Sequence, residues 1–235
     1  MQPFLKIAHR GYSARYPENT LIAFAKAVEA GADMIELDVH CSKDGHLVVI
    51  HDGRIDRTSD GTGRVADKTL AELRQYNYAN GRASFGFVKI PTLAEVIDQV
   101  GNRVPLNIEI KSDPPRRLET VEGLAELLEL KDFKERAIVS SFDHRALAEM
   151  KRLAADIKTG MLTDEVWVTF TDECLALDVS SVHPGPDAID ADQLRWAKAR
   201  GLKVFAWGVW DKETLDRCRS SGFIDGVMVD DLELF

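Results

Sequence analysis

Residues Met34 to Asp52 read Met-Ile-Glu-Leu-Asp-Val-His-Cys-Ser-Lys-Asp-Gly-His-Leu-Val-Val-Ile-His-Asp, two short strands joined at Lys43-Asp44-Gly45. On the first, Glu36 and Asp38 stand at i and i+2, so both carboxylates leave the same face, roughly 6–7 Å apart along the strand. Ile35, Leu37 and Val39 point the other way, toward packing. On the second, the apolar run Leu47-Val48-Val49-Ile50 delivers His51 at its end, followed by Asp52. Two acids and a histidine at strand ends suggest a metal and a proton carrier.

Outward from this stretch, strands and helices alternate. Phe4 to Ala8 is a short apolar strand ending in His9-Arg10-Gly11, and Thr20 to Ala30 has helical spacing, with Asn19 or Thr20 as N-cap and Gly31 as stop. After Pro91 the spacing predicts helices over 93–100, 118–130, 145–154, 192–200 and 212–221. It predicts strands over 105–111, 137–141, 158–162, 180–183, 203–209 and 226–230, with a weakly patterned segment between 162 and 180. About eight strands alternating with helices indicate a parallel sheet with right-handed crossovers. At 235 residues a (β/α)8 TIM barrel, of the α/β class, is favoured over an open doubly wound sheet. No glycine-rich dinucleotide turn follows the first strand, and few residues after Asp230 remain for an eighth helix.

The chain reads as one domain over residues 1–235, with no linker or repeat dividing it. The exception to short connections is an insertion at about 53–90, far longer than the 2–6 residues usual after such a strand. It contains Thr58-Ser-Asp-Gly-Thr-Gly63, a short helix near Thr69–Gln75, and the aromatics Tyr76, Tyr78, Phe85 and Phe87. Its place at a strand's outgoing end suits a cover over a pocket.

Net charge is −9, which argues against nucleic acid or an anionic membrane as an electrostatic partner. No apolar run approaches membrane-spanning length, and the start lacks a signal peptide's apolar core. The three cysteines, Cys41, Cys174 and Cys218, are scattered, which fits a reducing compartment, so the cytoplasm is the expected location. The oligomeric state is left open, a homo-oligomer included.

The strand Leu106-Asn-Ile-Glu-Ile-Lys111 repeats the pattern of the opening stretch: Asn107, Glu109 and Lys111 face inward while Leu106, Ile108 and Ile110 face the helices. Inward acids in a barrel need a cation to balance them. Three carboxylates, Glu36, Asp38 and Glu109, with no cysteine suit one oxygen-liganded divalent cation, Mg2+ or Ca2+, rather than zinc. Arg10 and Lys111 add fixed positive charge that would hold an anion, and a phosphate suits the arginine fork. His9 and His51 are the residue type that serves as acid and base near neutrality. The blander alternative for Glu36 and Asp38 is a structural ion-pair network with Arg10 and Lys111, which the recurrence at Glu109 disfavours. His183, in Val-His-Pro-Gly, is either a substrate contact or part of a turn, and Trp207 either a wall for the ligand or core. His40, His46 and His144 read as surface residues, Asp52 as orienting His51 or capping the loop, and Ser141 as a weak nucleophile candidate.

The segments His9-Arg-Gly, Pro17-Glu-Asn-Thr20, Glu36-Leu-Asp38, His51-Asp52, Pro91-Thr-Leu-Ala-Glu95, Glu109-Ile-Lys111 and Gly226-Val-Met-Val-Asp230 resemble, in order and from end to end, the glycerophosphodiester phosphodiesterase family. Arg57-Thr-Ser-Asp-Gly-Thr-Gly63 is similar to that family's insertion. The resemblance implies a metal held by Glu36, Asp38 and Glu109, an acid–base pair in His9 and His51, and phosphate contacts from Arg10 and Lys111. It implies a small-molecule glycerophosphodiester substrate, cleaved to glycerol 3-phosphate and an alcohol. The chain departs from the family's usual Trp-Thr-Val-Asn at Trp207-Gly-Val-Trp210, which bears on substrate shape. Three other readings stand against this one. A phospholipase-D-type relative releasing a cyclic phosphate would be expected to have disulfides and to lack the insertion. A phosphosugar isomerase barrel has no use for three converging acids. A non-catalytic phosphate-binding barrel would be expected to have lost a histidine or an acid.

Overall fold

The structure is a computed structural model that describes residues 4–101, 103–111, 116–164, 169–185, 188 and 190–235. Among these, nine strands form one sheet in the order β1-β9-β8-β7-β6-β5-β4-β2-β3, and β1 also pairs with β2, closing an eight-stranded parallel barrel. The staves are β1 (Leu5–His9), β2 (Met34–Cys41), β4 (Leu106–Ile110), β5 (Ala137–Ser141), β6 (Lys158–Thr163), β7 (Ser181–Pro184), β8 (Lys203–Ala206) and β9 (Gly226–Val229). The barrel expectation holds.

β3 (Leu47–Val49) differs. It runs antiparallel to β2, with Val39 opposite Val49 and Cys41 opposite Leu47. The physical reason is the connection: Ser42 to His46 is long enough for a hairpin and far too short for a parallel crossover. The second half of the opening stretch is therefore a flap on β2, and the Ile50 N–H bonds the Asp38 carbonyl at 3.0 Å, holding His51 above the barrel's outgoing end.

The strands alternate two apolar environments. Ile35, Leu37, Val39, Leu106, Ile108, Ile110 and Val139 face outward into a core shared with the helices. These are α1 (Leu21–Glu29), α3 (Leu93–Val100), α4 (Arg117–Leu130), α5 (His144–Leu153), α6 (Phe170–Leu177), α7 (Ala191–Ala199) and α8 (Lys212–Ser220). Inside the barrel, Ile7, Met34, Phe205 and Met228 form a smaller apolar floor. The acids stand on that floor, nearer the C-terminal mouth. After β9 a 3-10 turn, Leu232–Leu234, takes the place of an eighth helix.

The helix α6 is one the spacing did not predict. Only Phe170 and Cys174 of it are buried, it has no side-chain N-cap, and it ends at Asp178 with φ 48° rather than at glycine. Residues 165–168 of that weakly patterned segment lie outside the described residues. In the insertion, the predicted helix is a single turn, α2 (Leu70–Leu73), fixed by a capping box between Thr69 and Glu72. Val48, Ile50, Ile55, Val65, Leu73, Tyr78 and Ile90 give the insertion its own small core.

Candidate active site

Period-2 alternation and parallel register bring the acids together. His9 lies beside Glu36 across β1 and β2, and Asp38 lies beside Glu109 across β2 and β4. Glu36, Asp38 and Glu109 each offer an oxygen within 4.8 Å of the others, and all three are buried. Burial, together with the neighbouring Asp38 and Glu109, pushes the Glu36 carboxyl well above its ordinary range. Burial also pushes Glu109 up, against the pull of Lys111. Asp38 goes the other way: burial opposes its charge, but Lys111, Arg10 and His51 outweigh that and hold it ionised.

Two strained residues serve the acids. Arg10 and Asn19 both have φ 56°, a conformation that costs a non-glycine residue about 1–3 kcal/mol. They are tied together by the Asn19 N–H donating to the Arg10 carbonyl at 3.0 Å. The Arg10 N–H donates to Glu36 Oε2 at 3.0 Å, its Nε lies 3.6 Å from Asp38 Oδ2, and its Nη1 bonds Glu18 at 2.9 Å. The Asn19 side chain donates to Asp38 Oδ2 at 2.8 Å. Asn19 is thus turned to the acid, and Thr20 is the N-cap of α1, accepting from Ala23 N. The next residue after Arg10, Gly11, has φ 81° and sits where a Cβ would lie 2.8 Å from the Ala23 backbone, so the turn after β1 needs glycine.

Lys111 reaches inward from the end of β4. Its Nζ is 2.7 Å from Glu109 Oε1, 3.4 Å from Asp38 Oδ1 and 3.0 Å from His51 Nε2. The two histidines share a design. His9 Nδ1 is 2.6 Å from Asp230 Oδ1, and His51 Nδ1 is 2.6 Å from Asp52 Oδ1. A carboxylate only accepts, so each Nδ1 carries a proton, and the Lys111 ammonium donates to the lone pair of His51 Nε2. His9 Nε2 faces Glu36 at 4.0 Å. His51 Nε2 accepts from Lys111, and burial lowers its pKa. Asp52, held at about 2 first by its bonds from Arg57, orients His51. Arg57 in turn grips Glu18 with both Nη atoms, at 2.8 and 2.9 Å, which joins the insertion to the loop after β1.

Sequence reasoning needs correction at two histidines. His40 is buried, and its Nε2–H donates to the His51 carbonyl at 3.0 Å, because the β3 hairpin covers that end of β2. His144 bridges α5 and α6 through Glu173 at 2.8 Å and the Leu162 carbonyl at 3.1 Å. His46 is exposed, as expected. Ser141 is no free nucleophile: its Oγ donates to the Ile110 carbonyl and accepts from Asp143 N.

The remaining two candidates sit apart from the acids. His183 is 0% exposed inside the barrel, with Nε2 2.9 Å from Ser181 Oγ, and burial depresses its pKa to about 3. It does not line the cavity described below. Trp207 spends its indole N–H on the Thr163 and His183 carbonyls and packs edge-on against Phe142. Trp210, at the departure from the family pattern, is 57% exposed with its ring centroid 6.1 Å from that of His9.

A cavity of about 700 Å3 opens beside the cluster on the His51 side. Glu109, Lys111 and His51 form its inner wall, Phe142 and Ser141 one flank, and Gly53, Arg54 and Arg64 of the insertion another. The insertion's aromatics do not line it: Tyr78 is in the insertion's core and Phe85 packs edge-on against Tyr16.

Fold and site together define a (β/α)8-barrel enzyme with an acid-rich, histidine-flanked centre at the mouth. The chain belongs to the glycerophosphoryl diester phosphodiesterase family, whose model matches residues 9–234. It is 41% identical over 231 residues to a glycerophosphodiester phosphodiesterase of Caldanaerobacter subterraneus subsp. tengcongensis, covering 97% of this chain and 95% of that one. An Oleispira antarctica phosphodiesterase, solved with the product sn-glycerol-3-phosphate, superposes with a TM-score of 0.91 at 31% identity, covering 98% of this chain and 94% of that one. A glycerophosphodiester phosphodiesterase from Thermotoga maritima does so with a TM-score of 0.83 at 34% identity, covering 100% and 98%.

Proposed function

We propose that the chain hydrolyses glycerophosphodiesters to glycerol 3-phosphate and an alcohol, with one divalent cation, Mg2+ or Ca2+, and two histidines sharing the proton transfers. Family membership supports the reaction class, and the observation that carries the rest is the convergence of Glu36, Asp38 and Glu109 within 4.8 Å, between two carboxylate-oriented imidazoles.

The residues fit such a cation. All three donors are oxygens, the hard donor type that Mg2+ and Ca2+ take. Two of the three carboxyls are forced up in pKa by burial and by each other, a cost that a divalent charge among them would remove. Asp38 Oδ1 is buried and accepts no hydrogen bond among the described residues. When bound, the cation would neutralise phosphate charge and lower the pKa of the attacking hydroxyl.

The chain's own groups do the rest. Arg10 and Lys111 hold the phosphate's anionic oxygens beside the acids. His9, fixed by Asp230, takes the proton from the attacking hydroxyl through Nε2. His51, fixed by Asp52, gives a proton to the departing oxygen. Its Nε2 is at present bonded to Lys111 Nζ. A phosphate oxygen would draw that ammonium away and leave Nε2 to hold a proton, stabilised by Asp52 behind it. The leaving alcohol then occupies the cavity on the His51 side, under the insertion that supplies Gly53, Arg54 and Arg64. Trp207 acts from behind, packed against Phe142 of the cavity wall and anchored by its indole N–H on the Thr163 and His183 carbonyls, rather than by touching the phosphate.

No helix among the described residues is long and apolar enough to cross a membrane. The test is a glycerol 3-phosphate readout over a panel of glycerophosphodiesters, with each cation in turn. Release that requires an added cation supports the reading, and cation-independent release or none at all removes it.

A further inference from the structure

We infer that Arg57 is a positioning residue that sets the leaving-group acid and the phosphate clamp together, which makes the insertion a working part of the active site rather than a cover alone. The inference rests on the hydrolase reading above and adds to it a residue that acts through others.

The Arg57 guanidinium stands between two carboxylates and forks onto both. Toward Asp52, Nε donates to Oδ2 at 2.7 Å and Nη2 to Oδ1 at 3.2 Å. Toward Glu18, Nη1 donates to Oε2 at 2.8 Å and Nη2 to Oε1 at 2.9 Å. Each carboxylate has a second task. Asp52 Oδ1 is 2.6 Å from His51 Nδ1, and Glu18 Oε1 also accepts from Arg10 Nη1 at 2.9 Å. One side chain of the insertion therefore holds two arms. The first ends on the ring that would protonate the leaving oxygen, the second on the guanidinium that would hold the phosphate. Glu18 is what makes the second arm possible, because Arg10 and Arg57 would repel without a carboxylate between them. Burial opposes the Glu18 charge, but the bonds from Arg57 and the charge of Arg10 outweigh it and keep the carboxyl below its ordinary range.

Arg57 is itself well presented. The neck of its loop is closed by an antiparallel bridge between Arg54 and Arg64. Within the neck the Ile55 N–H donates to the Gly63 carbonyl and the Gly63 N–H to Asp56 Oδ2, both at 3.0 Å. Ile55 and Thr58, on either side of Arg57 in the chain, are buried, and Ile55 belongs to the insertion's own core. The Arg57 side chain is 43% exposed, and a long side chain in that setting ordinarily samples many rotamers. Here a closed loop and bonds to two acids select one. Partly exposed ion pairs stabilise a fold little, so the consequence of this arrangement lies in geometry.

Arg57→Gln is assayed on glycerophosphocholine and on the p-nitrophenyl ester of glycerophosphate, well below its Tm. Loss of the Asp52 arm should lower kcat on glycerophosphocholine about tenfold and on the nitrophenyl ester about twofold or less, since only the first needs its leaving oxygen protonated. Loss of the Glu18 arm should raise KM for both esters about fivefold, as for an interaction felt equally by ground and transition states. Added to Asp52→Asn, Arg57→Gln should lower kcat on glycerophosphocholine no further, and added to Glu18→Gln it should raise KM no further. Arg57→Lys, one ammonium in place of a double fork, should recover at most one of the two losses. Arg152→Gln, on the outer surface of α5, should change neither. Unchanged kcat and KM in Arg57→Gln, losses that multiply in full on either background, or recovery of both by lysine would overturn the inference. Equal kcat losses on the two esters, with the non-additivity intact, would take the acid role from His51 and keep the clamp. If the wild type releases no glycerol 3-phosphate, the hydrolase reading falls, and the Glu18 arm is read from the calorimetric affinity of the cation-loaded protein for glycerol 3-phosphate. Non-additive weakening by Arg57→Gln and Glu18→Gln would then keep the clamp, and additive weakening or none would remove it.

Discussion

Asp230 Oδ1 lies 2.6 Å from His9 Nδ1, although the two residues are 221 positions apart. The contact closes the barrel functionally as well as sterically, because β9 pairs with β1 and so delivers Asp230 beside the end of β1. Ser13 Oγ lies 3.0 Å from the same carboxylate oxygen and steadies it. Asp230→Asn would offer His9 an amide in place of an acceptor pair and permit the wrong tautomer. Activity should fall by about 10²-fold or more with little change in KM. A variant that keeps wild-type kcat would show that Asp230 is only a structural partner.

The acid cluster makes its own prediction about cations. At a Mg2+ or Ca2+ concentration about 100-fold above Kd, the wild type should gain about 2.7 kcal/mol of stability. Glu36→Gln, Asp38→Asn and Glu109→Gln each remove one charged donor from a set that lies within 4.8 Å. Each should weaken the cation by at least about tenfold in calorimetry and abolish most of the thermal shift. Undiminished affinity in all three variants would sink the site.

His183 sets an acid limit on stability. Its pKa in the fold is pushed by burial to about 3, from an ordinary 6.5. Below 6.5 the unfolded chain therefore binds a proton that the native barrel refuses, so stability rises with pH across this window. The contribution is complete above the ordinary value and is lost at up to about 1.4 kcal/mol per pH unit as pH falls toward 3. His183→Asn should flatten the fall of Tm between pH 6.5 and 5, a difference of about 2 kcal/mol. Parallel Tm curves for the two proteins would mean that the ring is protonated, or reached by water, in the native state.

The barrel was legible because its signals are local: short apolar strands, helical spacing between them, and turns where crossovers must occur. The acids were legible for the same reason, since i and i+2 on a strand share a face whatever the rest of the chain does. What was not legible is set by neighbours distant in sequence. Nothing near Asp230 says that it will orient His9. His40 looks like a surface residue until the hairpin strand β3 is laid over it. Asn19 is a case of competition: it is a good N-cap type, but the tertiary bond to Asp38 takes its side chain and leaves capping to Thr20.

The last expectation separates the two histidines. Both rings are held through Nδ1 by a carboxylate, so geometry alone makes them alike. Their surroundings differ. His51 lines the cavity proposed for the alcohol, while His9 is on the opposite side of the acids, beneath Trp210. In the proposed reaction His51 is therefore the group next to the departing oxygen and His9 the one next to the attacking oxygen. An alkoxide such as that of choline leaves poorly without a proton, whereas p-nitrophenolate leaves well without one. His51→Ala should therefore lose most activity on glycerophosphocholine, by about 10²-fold or more, and retain much of it on the p-nitrophenyl ester of glycerophosphate. His9→Ala should lose both, because every substrate needs its nucleophile deprotonated. Two histidines working in opposite protonation states would give a bell-shaped dependence of kcat/KM on pH, of which each variant should lose one limb. The opposite pattern of losses would exchange the roles. Equal losses in both variants on both substrates would refute the division itself, leaving the histidines as binding groups and the proton transfers to solvent.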